Sequence, residues 1–102
     1  MCGIAGILAH RPVDPGTVEA MGDLMVHRGP DDSGLWSSAD GRVVMGHRRL
    51  SIIDPSPAGH QPMMDGSGRF VLNFNGEIYN SPELRERLKR EGIAFRSHCD
   101  TE

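Results

Sequence analysis

The residue best suited to covalent chemistry is Cys2, which directly follows the initiator Met1. A side chain as small as a thiol in second place permits removal of that Met, and Cys2 would then carry both a thiol and a free α-amine. The thiol titrates near ~8.5 and the amine at about 7.7–8.0, so the amine can accept the thiol proton at neutral pH. A nucleophile and its base are therefore predicted in one residue, and the alternative is the frayed terminus that most chains have.

The first elements needed to position Cys2 are a strand and a helix. The apolar run 4–9 predicts a buried strand directly behind the thiol. Asp14 and Pro15 predict a helix start, as N-cap and first helical residue. Gly29-Pro30 predicts the end of this helix. The stripe predicted to face the core is Val18, Met21, Leu24 and Met25.

Turn residues divide the remaining chain into short elements. Residues 31–34 predict a turn, and Asp40-Gly41 predicts a hairpin between strand 35–38 and a long strand over 42–54. Asp65-Gly66 predicts a turn before strand 69–74. Ser81-Pro82-Glu83 predicts the start of a second helix, Gly92 its end, and residues 93–97 a last strand. Mixed helices and hairpins of this kind predict an α+β domain rather than a series of βαβ units.

Several polar residues in these elements each allow two interpretations. Arg49, one of two adjacent arginines, could bind an anion or could lie at the exposed end of a strand. Asn75-Gly76 could act on a substrate, although Asn-Gly is also the commonest hairpin turn. The five histidines have no partners at metal-ligand spacing, so no metal site is predicted. They are His10, His27, His47, His60 and His98.

The overall composition excludes some classes of protein. The chain has 102 residues, enough for one small domain, and a net charge of −3 with no basic patch for nucleic acid. Two cysteines make no disulfide framework and fit a reducing compartment. No apolar run reaches the length of a membrane span, and a cytoplasmic location is expected.

Six short blocks carry a resemblance to one family. They are MCGIAG at 1–6, HRGPD at 27–31, HRRLSIID at 47–54, GHQP at 59–62, NGEIYN at 75–80 and SHCDTE at 97–102. Together, in this order and behind a Cys at position 2, they resemble the glutaminase domain of class II glutamine amidotransferases. The versions of the blocks at 27–31 and 75–80 resemble those of glutamine-hydrolysing asparagine synthetases.

The resemblance implies an N-terminal-nucleophile hydrolase fold, an αββα sandwich of two antiparallel sheets flanked by helices, which the chain would form in part. It also implies hydrolysis of the side-chain amide of L-glutamine through a cysteinyl thioester, with ammonia as product. Cys2 would be the nucleophile and its own amine the base. The side-chain amide of Asn75 and the N–H of Gly76 would form the oxyanion hole. The matching positions for binding the amino acid are Arg49 at the α-carboxylate, and Glu77 and Asp100 at the α-ammonium.

Ammonia made in this way would serve an ATP-dependent synthetase domain that forms asparagine from aspartate. Residues 1–102 correspond to about the N-terminal half of the glutaminase domain, so the synthetase domain is expected outside the chain. No cofactor is expected for the glutaminase step, and ATP and Mg²⁺ are expected only on that absent domain. The expected partners are L-glutamine and the synthetase domain, with no nucleic acid and no membrane. The isolated chain is expected to be marginally stable.

One residue departs from the family pattern, and two other functions stay open. Cys99 stands where relatives commonly have Ser, and strand alternation predicts that its side chain points away from the face that Asp100 uses. A redox pair between Cys2 and Cys99 is a further hypothesis. The ammonia could instead serve a polysaccharide or secondary-metabolite pathway, or the chain could be a non-catalytic module that binds glutamine or a partner protein.

Overall fold

Two antiparallel sheets and two helices make up the fold of the computed structural model, which describes all residues 1–102. The predicted α+β class is thereby confirmed. In chain order the elements are β1 (Gly3–Leu8), α1 (Pro15–Asp23), β2 (Asp32–Ser37), β3 (Val43–Arg49), a 3-10 turn (Pro57–Gly59), β4 (Met63–Met64), β5 (Val71–Leu72) and α2 (Ser81–Arg90). None of the helices is long and apolar enough to cross a membrane.

The larger sheet has the strand order β1-β3-β2, with β3 antiparallel to both neighbours. The predicted hairpin between β2 and β3 is confirmed, and Gly41 adopts the positive φ of 68° that its turn requires. Strand β3 ends at Arg49 rather than at residue 54. The reason is that the next N–H groups leave the ladder: Leu50 donates to the Cys2 thiol sulfur and Ser51 to the Asp31 carboxylate. The turn predicted over 31–34 is also wrong, since β2 begins at Asp32.

Helix α1 begins as predicted, with the Asp14 side chain accepting a hydrogen bond of 3.0 Å from the Gly16 N–H. Val18 is fully buried against β3. The predicted end at Gly29-Pro30 is wrong, because the helix closes at Asp23 and Leu24 is 80% exposed. Gly29 serves a different purpose: a Cβ there would collide with the main chain of Arg48, so only glycine permits this close approach.

Strand β1 is confirmed in position but is not fully buried. Its residues alternate between the face covered by α1 and a more open face, so Leu8 is 78% exposed. An apolar run cannot distinguish a strand covered on both faces from one covered on a single face. Few apolar residues are buried in the whole chain, and they are Val18, Val44 and Cys99.

The smaller sheet is a short hairpin of β4 and β5, in which Met63 pairs with Leu72. The strand predicted over 69–74 is reduced to Val71–Leu72. Beyond Leu72 the chain bonds to side chains instead of to a strand. The Phe74 N–H donates to the Gln61 side chain at 2.7 Å.

Helix α2 and its predicted C-terminal Gly92, at a φ of 88°, are confirmed. The helix buries none of its own residues. Its Arg85 guanidinium donates to the carbonyls of Ser97 and Cys99, each at 2.8 Å, and so fixes the following segment. The strand predicted over 93–97 does not form, because the N–H groups at 96 and 97 both donate to the Glu102 carboxylate.

Candidate active site

One cavity of about 320 Å³ lies between the end of β3, the loop after it and the segments 74–79 and 99–100. This volume is in the range of small-molecule sites. All the residues predicted to act on substrate line this cavity. They are Cys2, Arg49, Asn75, Gly76, Glu77 and Asp100.

The main chain of Cys2 is fixed and not frayed. Its carbonyl accepts hydrogen bonds from the Arg28 Nε at 3.1 Å and from the Asn75 Nδ2 at 3.0 Å. Its sulfur accepts from the Leu50 N–H at 3.3 Å and donates to the Leu50 carbonyl at 3.8 Å. Met1 is 77% exposed and lies beside the thiol at the cavity. Hydrogen bonds therefore fix the position of the Cys2 thiol, and the preceding residue, Met1, is accessible to solvent.

The loop that carries Asn75 and Gly76 is not a hairpin turn. Gly76 sits against the ring of Phe74, and a Cβ at Gly76 would lie 2.6 Å from the ring Cζ. Any other residue at 76 would displace the ring or the loop. The glycine therefore allows this loop to pack closely on the ring at a position that lines the cavity.

A buried histidine supports the start of this loop. The Asn73 Nδ2 donates to the Gly46 carbonyl at 2.9 Å, which leaves its Oδ1 to accept from the His47 Nδ1 at 2.7 Å. Burial lowers the pKa of His47, so its ring is neutral. The other ring nitrogen, Nε2, is buried without a hydrogen-bond partner. The neutral ring thus links β3 to the chain two residues before Asn75.

Arg49 is only 6% exposed, which excludes the alternative of an exposed strand end. Its guanidinium donates to the carbonyl of Ser56 at 2.9 Å and to the carbonyl of Asp54. Gly59 makes room for it, since a Cβ there would collide with Nη2. A guanidinium has five N–H bonds, so three have no protein partner, and Arg49 lines the cavity. The adjacent Arg48 points to the opposite face and donates to the Gly22 carbonyl at 3.2 Å.

The two predicted carboxylates lie on one side of the cavity. The Asp100 Oδ2 accepts a hydrogen bond of 2.7 Å from the Ile78 N–H, which brings Asp100 next to the backbone that carries Glu77. Glu77 is exposed, and Asp100 is half-buried. Two acceptor groups placed together in this way suit a cationic group such as an ammonium.

The predicted orientation of Cys99 is wrong. Its sulfur lies 3.8 Å from the Asp100 Oδ1 and 3.2 Å from the Thr101 Oγ1, and it lines the same cavity as Asp100. Alternation fails here because residues 97–101 form turns instead of a strand. Both cysteines are free thiols.

Sequence reasoning missed two buried residues of this cavity, Asp54 and Gln61. The Asp54 carboxylate accepts from the N–H groups of Ser56 and His98, each at 2.9 Å. Hydrogen bonds from Ser56 and from the His98 N–H lower the pKa of Asp54 to about 2. Both residues lie inside the recognised blocks, yet no local sequence pattern identifies them. The reason is that Asp54 bonds to His98, 44 residues later, and Gln61 bonds to Thr101, 40 residues later.

Sequence comparison identifies the family of this chain. The model of the glutamine amidotransferase domain family matches residues 1–102. The chain therefore belongs to the glutamine amidotransferase domain family, whose N-terminal-nucleophile hydrolase fold agrees with the two antiparallel sheets and two helices described above.

Three relatives illustrate the similarity. Asparagine synthetase (glutamine-hydrolysing) 1 of Bacillus subtilis is 40% identical over 107 residues, covering 100% of this chain and 16% of the relative. A putative asparagine synthetase (glutamine-hydrolysing) of Mycobacterium bovis is 49% identical over 87 residues, covering 78% of this chain and 13% of the relative. Amidase chry2 of Gibberella zeae is 40% identical over 114 residues, covering 100% of this chain and 17% of the relative. The chain thus spans less than a fifth of the length of each.

Proposed function

We propose that this chain carries the glutamine-binding and glutamine-hydrolysing groups of an asparagine synthetase. The observation behind the proposal is that a held thiol, an amide donor, a buried guanidinium and two carboxylates surround one cavity of about 320 Å³. These groups complement the amide, the α-carboxylate and the α-ammonium of L-glutamine one by one. The relatives named as glutamine-hydrolysing asparagine synthetases support the same substrate.

The chemical step begins after Met1 is removed. The freed amine of Cys2 takes the thiol proton, and the sulfur forms a bond to the side-chain carbonyl carbon of glutamine. The Asn75 Nδ2 and the Gly76 N–H donate to the oxygen that becomes negative. The C–N bond then breaks, the α-ammonium of Cys2 returns its proton to nitrogen, and ammonia leaves. Water attacks the thioester in the same way, which releases glutamate and restores the thiol.

Recognition of the amino-acid end uses other residues of the cavity lining. The free N–H bonds of Arg49 receive the α-carboxylate, and Glu77 with Asp100 receives the α-ammonium. No cofactor takes part in this step. A synthetase domain that would bind ATP and Mg²⁺ would accept the ammonia and form asparagine from aspartate, in the cytoplasm.

A second candidate is transfer of the ammonia to a different acceptor. The relative named amidase chry2 is 40% identical over the whole chain, but the several relatives named as asparagine synthetases favour asparagine formation over this alternative. The two functions share the glutaminase step and differ only in the final product. Supplying the protein with aspartate, ATP and glutamine and looking for asparagine distinguishes them.

The proposed nucleophile is tested by intact mass, before and after incubation with a glutamine-mimicking diazoketone that alkylates a nucleophilic thiol. We expect loss of one Met and a single adduct. The adduct should disappear in Cys2→Ala and persist in Cys99→Ala, which removes the other thiol of the same cavity. A retained Met1 would contradict the proposed base, and an adduct that depends on Cys99 would contradict the proposed nucleophile.

A further inference from the structure

The side chain of Gln61 joins two parts of the cavity wall that are far apart in the sequence. It is 5% exposed and lines the cavity. Its Oε1 accepts from the Phe74 N–H at 2.7 Å, and its Nε2 donates to the Thr101 Oγ1 at 3.1 Å. The amide orientation is determined by chemistry, because a main-chain N–H can only donate and must therefore face the amide oxygen.

The two partners of Gln61 are the direct neighbours of residues that receive opposite ends of the substrate. Phe74 precedes Asn75 at the amide end, and Thr101 follows Asp100 at the ammonium end. Thr101 is 7% exposed, so water does not readily replace the bond. One side-chain amide thus ties the segment before Asn75 to the segment after Asp100.

We infer that Gln61 and Thr101 are positioning residues that select the length of the substrate side chain. This inference rests on the proposed function. L-Asparagine carries the same three functional groups as L-glutamine but is one methylene shorter. The bridge fixes the segment that carries Asn75 relative to the segment that carries Asp100, so a separation that suits glutamine is one that the shorter asparagine cannot match at both residues. Neither Gln61 nor Thr101 touches the reacting atoms.

The test compares the variants Thr101→Val and Thr101→Ser of the entire protein, purified from its host organism. Valine has nearly the shape of threonine but cannot accept the Gln61 bond, whereas serine keeps the hydroxyl. For Thr101→Val we expect a roughly tenfold loss in kcat/KM for L-glutamine, the effect of leaving a buried donor unpaired. The preference for L-glutamine over L-asparagine should fall, and Thr101→Ser should recover most of both.

A second measurement separates positioning from general damage. Iodoacetamide alkylates Cys2 without binding to Asp100 through an ammonium group. The rate of Cys2 alkylation should therefore be the same in Thr101→Val and in the parent. An equal loss toward glutamine, asparagine and iodoacetamide would show a merely structural role and overturn the inference. Unchanged selectivity in a folded, active Thr101→Val protein would overturn it as well.

A variant on the other side of the bridge covers the case in which Thr101→Val does not fold. Gln61→Met keeps the length of the side chain but can neither accept from the Phe74 N–H nor donate to Thr101. It should show the same fall in selectivity, and a full preference for glutamine would overturn the inference. A parent protein that releases no ammonia from glutamine would instead refute the proposed function itself, which is a distinct result.

Discussion

The two ends of the cavity are built in different ways. At the thiol end, Cys2 adjoins β1, whose Gly3 pairs with Arg48 in the sheet. The Leu50 N–H holds the Cys2 sulfur, and the side chains of Arg28 and Asn75 hold the Cys2 carbonyl. The other end, where the α-carboxylate of glutamine is proposed to bind, is called the carboxylate end. There the Arg49 guanidinium donates to carbonyls of the loop that follows β3. Sheet pairing leaves little freedom, whereas a loop held by side-chain bonds can adjust. Changes at the thiol end should therefore lower kcat, and changes at the carboxylate end should raise KM.

The largest effect is expected for Asn75→Ala. Removing one oxyanion donor lowers kcat by about 10²–10³ and changes KM little. Steady-state ammonia release measures both constants. Arg28→Gln is the matched control, since it removes the other side-chain bond to the Cys2 carbonyl and no oxyanion donor. A loss in Arg28→Gln as large as in Asn75→Ala would mean that Asn75 acts only by holding the terminus.

A smaller effect, and on KM instead of kcat, is expected for Arg49→Lys. An ammonium cannot replace a guanidinium that binds two carbonyls and a carboxylate together, so KM should rise roughly 10- to 100-fold. Arg48→Lys provides the control at the adjacent position, because Arg48 faces α1. A rise in KM for both variants would show that the effect comes from the strand as a whole.

The smallest effect concerns stability in acid. Hydrogen bonds lower the pKa of Asp54 to about 2, below its value in an unfolded chain, so this carboxylate stabilises the fold above the unfolded pKa of about 3.9. That contribution is lost as the pH falls through the folded pKa. The melting temperature of Asp54→Asn should be lower than that of the parent at pH 7, and the difference should shrink between about pH 4 and 2.

A second carboxylate makes this last comparison sharper. Asp65 also has a pKa lowered to about 2, by hydrogen bonds from Ser67 and the Phe70 N–H, but it lies in the β4–β5 turn and does not line the cavity. The melting temperatures of Asp65→Asn and the parent should likewise converge as the pH falls from about 4 to 2, and the KM for glutamine should be unchanged. Asp54→Asn should raise KM, because the loop that holds Arg49 loses its anchor at His98. An unchanged KM for Asp54→Asn would show that this loop does not depend on Asp54.

The sequence predicted local features well where neighbouring residues decide them. The Asp14 cap, the Asp40-Gly41 turn and the Gly92 helix end are of this kind. The predictions were wrong where a main-chain N–H donates to a side chain that is distant in the sequence or outside the predicted strand. The Leu50 N–H donates to the Cys2 sulfur, and the N–H groups of residues 96 and 97 donate to the Glu102 carboxylate.

The candidate site follows the same rule. Its residues were found through the resemblance of six blocks, whereas residue spacing alone left Arg49 and Asn75 open. Gln61 was missed because nothing near it in the sequence indicates that its side chain contacts Phe74 and Thr101. Local patterns can identify turns and caps, but a bridge between distant segments becomes visible only in three dimensions.

The wide separation of the cavity residues along the chain has a consequence for biosynthesis. The Cys2 carbonyl bonds to a residue 73 positions later, and the Cys2 sulfur to one 48 positions later. Such contacts form late, because long loops must close first. While the ribosome is still adding residue 75, the thiol is already made but has no amide donor beside it. In the proposed mechanism a growing chain therefore could not release ammonia, and hydrolysis would begin only after the later segments had folded back onto the first residues.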